Sequence, residues 1–138
     1  MIQDTTYGMR VELPIAYDQA VERTTAALKD QGFGVLTTID VKETLKKKLD
    51  VDFRRYVILP ACNPPLAYQA LSTELEVGLL LPCNVIVYET TPGHSAVAAF
   101  APISGLGMVG NQGLHKVGVE ADARLRNALT ALESRAPA

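Results

Sequence analysis

The 138-residue chain has no tryptophan, two cysteines, two histidines, and only three phenylalanines and five tyrosines. Charge is scarce too, and it is placed unevenly. From Tyr56 to His115 there is no lysine or arginine, and Glu74, Glu76 and Glu89 are the only carboxylates. With 13 basic and 15 acidic residues the net charge is −2, which excludes a nucleic-acid binder that relies on bulk positive charge. A long hydrophobic run is also missing. The stretch from Thr90 to His115 is nearly free of charge, but Pro92, Pro102 and five glycines break it well short of the about 18 apolar residues a membrane span needs. Met1 to Arg10 carries Asp4 and no apolar run, so it does not read as a secretory signal, and the expected location is cytoplasmic. In that compartment Cys62 and Cys83 are reduced. No G-x-S-x-G, Walker loop, H-E-x-x-H, C-x-x-C or paired-carboxylate motif occurs, so the chain does not read as an enzyme and no cofactor or metal is expected.

What is present is 48% hydrophobic residues in a chain of one-domain length, long enough to bury about two thirds of its unfolded surface. The expectation is a single domain over 1–138, with a structured core over about 9–134. Met9 to Leu13 alternates apolar and polar like a half-buried strand. Asp18 is placed to cap a helix with Val21, Thr25 and Leu28 on one face and Gly32 closing it. Gly34 to Ile39 is short and β-branched, hence a strand, and Asp40 with Glu43 forms a capping box for a helix striped by Val41, Leu45 and Leu49. Lys46 to Lys48 fit a solvated helix end better than an anion site.

Tyr56 to Leu59 is a continuous apolar run, as in a strand covered on both faces. Asn63-Pro64 opens a short helix with Leu66, Ala70 and Leu71 turned inward and an end near Thr73. Val85 to Tyr88 and Ser95 to Ala101 form a hairpin about Thr91-Pro92-Gly93, and a glycine-rich loop over 103–115 leads to a helix from Lys116 with Ala121, Leu125, Ala128 and Leu132 inward. The order β-α-β-α-β-α-β-β-α predicts an α+β, two-layer domain with a largely antiparallel or mixed sheet covered by helices.

The candidate chemistry lies in the charge-poor region. Two Cys-Asn pairs occur, Cys62-Asn63 and Cys83-Asn84, each at the end of a predicted strand. A thiol just before a helix faces the positive end of the helix dipole, which favours thiolate; a buried cysteine packed as a small apolar side chain is the alternative. Cys62 is the better placed. If the two strands run parallel the thiols lie a strand length apart, and if antiparallel they converge with Asn63 and Asn84. Periodicity leaves that choice open. Gly105 to Gly110 matches G-x-G-x-x-G, but Asn111 to Gly113 delay the helix and no strand comes after it, so a lid over an apolar cavity or a subunit interface fits it better than a nucleotide site. Within that loop Met108 is a candidate ligand contact. His94 and His115 have no metal-ligand spacing, Glu89 is a candidate general base at a strand end, and Tyr68 is placed to reach a pocket or the core.

Three motifs carry a family resemblance: Gln31-Gly32-Phe33-Gly34-Val35-Leu36-Thr37-Thr38-Ile39-Asp40-Val41, Ala61-Cys62-Asn63-Pro64-Pro65-Leu66-Ala67, and Gly78 through Cys83-Asn84 to Glu89. In that order they resemble the family called domain of unknown function 302, over about Val11 to Leu132. The resemblance brings no reaction. It implies a compact, stand-alone α+β domain of bacteria or archaea that pairs as a homodimer, with the family's Cys-Asn-Pro and Pro-Cys-Asn motifs at Cys62, Asn63, Pro64 and Pro82, Cys83, Asn84. The leading expectation is therefore a homodimeric, non-enzymatic module binding a small neutral or weakly polar ligand through Asn63, Asn84, Tyr68 and Met108. The alternative is a thiol-based redox, sulfur-transfer or metal-binding protein using Cys62 with Cys83. No nucleic-acid or membrane partner is expected.

Overall fold

Met9, Val11 and Leu13 point to one side of a strand and Arg10 and Glu12 to the other, and that alternation sets the layers of the whole domain. The computed structural model describes residues 1–135. Its strands are β1 (Gln3–Asp4), β2 (Gly8–Leu13), β3 (Gly34–Val35), β4 (Ile39–Asp40), β5 (Tyr56–Cys62), β6 (Cys83–Thr91) and β7 (His94–Phe100). They form one antiparallel sheet in the order β1-β2-β7-β6-β5-β3, with β4 also pairing along β5. The helices are α1 (Tyr17–Asp30), α2 (Val41–Leu49), α3 (Pro64–Thr73), α4 (Pro102–Gly107) and α5 (Gln112–Arg135), with a 3₁₀ segment at Leu75–Leu80. The α+β, two-layer fold expected from the element order is the one observed, with an entirely antiparallel sheet. No described helix is long and apolar enough to cross a membrane.

α1 and α5 cover one face. Leu28 and Ala27 from α1 and Leu125, Leu129 and Leu132 from α5 are buried against Val11, Val57, Leu59, Val85, Val87 and Val97 of the sheet. Fully burying each such side chain contributes about 1.5–3 kcal/mol before entropy is counted. A second, smaller cluster of Ala70, Val77, Leu106, Leu114 and Val117 ties α3, the 3₁₀ segment and α4 to the start of α5.

Several local expectations differ from the structure. α1 begins without a side-chain cap, Asp18 lying in its first turn, and its buried face is Ala20, Thr24, Ala27 and Leu28 rather than Val21, Thr25 and Leu28. Gly32 does close α1, at φ +83°, and the Phe33 amide donates back to the Leu28 carbonyl, burying the Phe33 ring. The single strand expected over Gly34 to Ile39 is two short ones. Asp40 caps α2 by accepting from the Glu43 amide, yet α2 buries no residue. Of the three α3 residues expected to face inward, Ala70 is buried and Leu71 is exposed.

The largest correction concerns 103–115. The expected glycine loop is mostly helical: Pro102 opens α4, a short turn comes next, and Asn111 caps α5 by accepting from the Gly113 amide. Packing explains it. A side chain at Gly105 would run into the Phe100 ring, and one at Gly118 would press on the Pro102 carbonyl. These glycines are gaps that let α4 settle on β7 and α5, and that tertiary gain outweighs their poor helix propensity.

Candidate functional site

The strand direction that periodicity left open decides the geometry of the thiols. β5 and β6 are antiparallel, with Ala61 opposite Cys83 and Pro60 opposite Asn84, so Cys62 at the end of one strand and Cys83 at the start of the next sit side by side. α3 and the 3₁₀ segment connect the two strands at that one end of the sheet, so no crossover is needed. Beside them is a recess of about 250 Å³. Its sheet wall is Ala61, Cys62 and Cys83, its α3 wall is Asn63, Leu66, Ala67 and Ala70, and Leu106, Val117 and Ala121 close it from α4 and α5. Phe33 lies on the side of α1, and Leu36, Leu71 and Gly78 form an exposed rim. The recess is the seam between the two hydrophobic clusters: Ala61, Cys83 and Ala121 belong to one, Ala70, Leu106 and Val117 to the other.

No lining side chain is charged. The polar groups are two thiols and the Asn63 amide. Asn63 is 5% exposed, and its Oδ1 accepts from the Leu66 N–H at 3.2 Å, capping α3. Cys83 is buried, which pushes its thiol up to about 11, with the neighbouring Cys62 adding to the effect. Cys62 is half-buried and both cysteines are free thiols. Among the described residues no three or more of His, Cys, Asp and Glu gather as a metal site.

Of the residues singled out in the sequence, Cys62, Asn63 and Cys83 come together here and the others do not. Asn84 is exposed on the opposite face of the sheet, beside Ile86 and Tyr88. Tyr68 is 74% exposed and lies neither in the core nor in the recess. Met108 is equally exposed, on the turn between α4 and α5, while Leu106 of the same segment reaches the recess. Glu89 is at the far end of β6, six residues or roughly 20 Å from Cys83, and cannot act on a group there. His94 begins β7 with its Nδ1 3.5 Å from the Pro92 carbonyl, and His115 is exposed on α5. Phe33, Leu36, Leu66, Ala67, Leu106 and Val117 were not singled out as site residues, since hydrophobic spacing alone does not separate a cavity wall from a core.

An antiparallel sheet covered on one face by two helices, with an apolar recess at the end of its central strands, defines a small two-layer α+β domain. The model of the family "Domain of unknown function DUF302" matches residues 9–132, and the chain belongs to that family. The crystal structure of an uncharacterised conserved DUF302 protein from Bacillus stearothermophilus is similar, with 31% sequence identity, a TM-score of 0.83, and coverage of 91% of this chain and 98% of that one. No curated protein matches the chain.

Proposed function

We propose that this chain is a non-enzymatic binding module for a small, neutral, largely apolar ligand held in the recess between α3, α5 and the ends of β5 and β6. The observation that carries the reading is the lining itself: about 250 Å³ bounded by hydrocarbon, two thiols and one amide, without a charge. An ion entering such a site would lose its hydration with nothing to replace it. A cavity of about 150 Å³ accommodates benzene, so this one suits about ten non-hydrogen atoms. The test is a thermal shift with nonan-2-one and with the carboxylate of the same chain length. The ketone is expected to raise Tm and the carboxylate to leave it unchanged, and Ala67→Phe, which fills the recess, to abolish the ketone effect. A preference for the carboxylate overturns the reading.

The module is proposed to work as a homodimer. The sheet face not covered by helices carries half-buried Ile58, Ile86 and Ala98 and the stacked rings of Tyr56 and Tyr88, whose centroids are 5.5 Å apart. Arg10 and Glu12, paired with each other at 2.9 Å, flank this face, and a face that is apolar and aromatic without a cover supports pairing with a second copy. Light scattering at micromolar concentration, with Ile86→Lys as the disrupting variant, tests this; a wild-type monomer overturns it. A second reading, thiol chemistry, is favoured by Cys62 and Cys83 opening on the same recess.

A further inference from the structure

The exposed rim of the recess is hydrocarbon, and it continues outward. In a 3₁₀ turn side chains three residues apart eclipse one another, so Leu75, Gly78 and Leu81 form one stripe of the segment after α3. Val77 and Leu80 form a second stripe, which packs into the smaller core cluster. Gly78 and Leu81 line the recess, and Leu75, one turn farther out, is 84% exposed. Between Leu75 and Leu81 the stripe has a gap. A Cβ on Gly78 would meet nothing nearer than Leu71 Cδ2, at 4.0 Å, and Leu71 is itself an exposed lining residue. The recess therefore opens through Gly78 onto an apolar strip. The only charges of α3 and the 3₁₀ segment are Glu74 and Glu76, beside and within that segment, so this exit carries no cation to hold an anionic group.

We propose that the ligand is a linear, neutral lipid whose chain is longer than the recess: one end is held inside, and the rest leaves through the gap at Gly78 and lies along Leu71 and Leu75. This rests on the recess binding a neutral apolar ligand, and it names the class of that ligand. One 3₁₀ turn rises about 6 Å, so the strip from Gly78 to Leu75 takes about four further carbons. A methylene buried on all sides tightens binding about fourfold, and one covered on a single side about twofold. Affinity thus climbs steeply while the chain fills the recess and about half as steeply beyond it. A chain suits the strip better than a second copy does, because two exposed leucines beside a glycine offer far less than the about 800 Å² per partner of a stable interface.

The test is a series of methyl ketones, from heptan-2-one through nonan-2-one and undecan-2-one to tridecan-2-one, with dissociation constants taken from the dependence of Tm on ketone concentration. Nonan-2-one fills the recess, so the wild type is expected to bind tridecan-2-one about tenfold more tightly than nonan-2-one. Gly78→Leu, for which the structure has room, should bring that ratio to about one, and Leu75→Ser should lower it about threefold. Leu79→Ser removes an equally exposed leucine from another side of the 3₁₀ turn and should leave the ratio unchanged, which separates the strip from general adhesion of longer chains. Should Gly78→Leu fail to fold by circular dichroism, the two serine variants decide, since both replace exposed side chains. A wild-type ratio near one, or equal ratios in Leu75→Ser and Leu79→Ser, overturns the proposal. So does a light-scattering mass that halves in Leu75→Ser, which puts a second copy on the strip. If nonan-2-one binds and longer ketones bind no tighter, the strip fails while the binding reading stands. If no ketone raises Tm, the binding reading fails, and the strip with it.

Discussion

Cys62-Asn63 and Cys83-Asn84 are the same dipeptide on neighbouring strands, and the fold treats them in opposite ways. The first ends β5 and runs into α3, so Asn63 turns inward to cap the helix and Cys62 stays half-buried at the mouth of the recess. The second begins β6, where side chains alternate strictly: Cys83 is driven into the core and Asn84 to the open face of the sheet. The residue after each dipeptide makes the difference. Pro64 stops β5 and preorganises a helix start, whereas Val85 continues a strand. An identical motif therefore yields one residue pair that shares a site and another that is split between two faces.

Thiol reactivity should show the contrast most strongly. Cys83, with its thiol pushed up to about 11 against the ordinary value near 9, holds about a hundredfold less thiolate than a free cysteine near neutral pH, and its burial blocks access as well. Labelling the native protein with iodoacetamide and mapping the products should therefore give Cys62 alone, with Cys83 modified only after unfolding. Equal labelling of both would erase the distinction.

Stability at high pH should show it next. The unfolded chain releases the Cys83 proton near pH 9, and the folded protein holds it to about 11. Between those values the unfolded state binds fewer protons, so stability is fully present below about pH 9 and falls as pH rises toward 11, by up to about 2–3 kcal/mol. Tyr17 and Tyr56, also raised mainly by burial, add to the alkaline slope. The discriminating quantity is thus the difference between wild type and Cys83→Ala in urea denaturation at pH 8 and pH 10.5: the wild type should lose more stability between them. Equal losses would place Cys83 in water.

How much of this was legible in the sequence depends on the same division between local and distant causes. Local punctuation was readable: Gly32 after α1, Asp40 before α2, Asn63-Pro64 before α3 and Gly93 in the hairpin all sit where their side chains or backbone freedom place them. So was the stripe Ala121, Leu125, Ala128, Leu132, because a long helix repeats its signal. The illegible part depended on partners distant in the chain. Whether β5 and β6 run antiparallel depends on which strands pair across the sheet, which local periodicity does not encode, and that pairing brings the two cysteines to one end of the sheet. The glycines at 105 and 118 read as loop because the Phe100 ring and the Pro102 carbonyl that need the space are invisible to local pattern. Tyr68 and Met108 were drawn toward a site by their chemistry, and their exposure shows that residue type without a facing direction places nothing.

The smallest expected effect gives the sharpest comparison, because it uses the same substitution at the two asparagines. Asn63→Ala removes the oxygen that accepts from the Leu66 amide, and loss of such a cap costs about 0.5–2 kcal/mol. Asn84→Ala deletes an exposed side chain with no hydrogen bond among the described residues, on a strand whose ladder runs through the backbone, and should fall within about 0.5 kcal/mol of wild type. Asn63→Ser keeps a capping oxygen there without a charge and should recover part of the loss, while a mutant that failed through lost packing would not be rescued by the smaller residue. Urea midpoints at constant m-value measure all three. If the two alanine variants cost the same, the cap is not what holds Cys62 at the mouth of the recess, and the difference between the motifs would have to come from the strands alone.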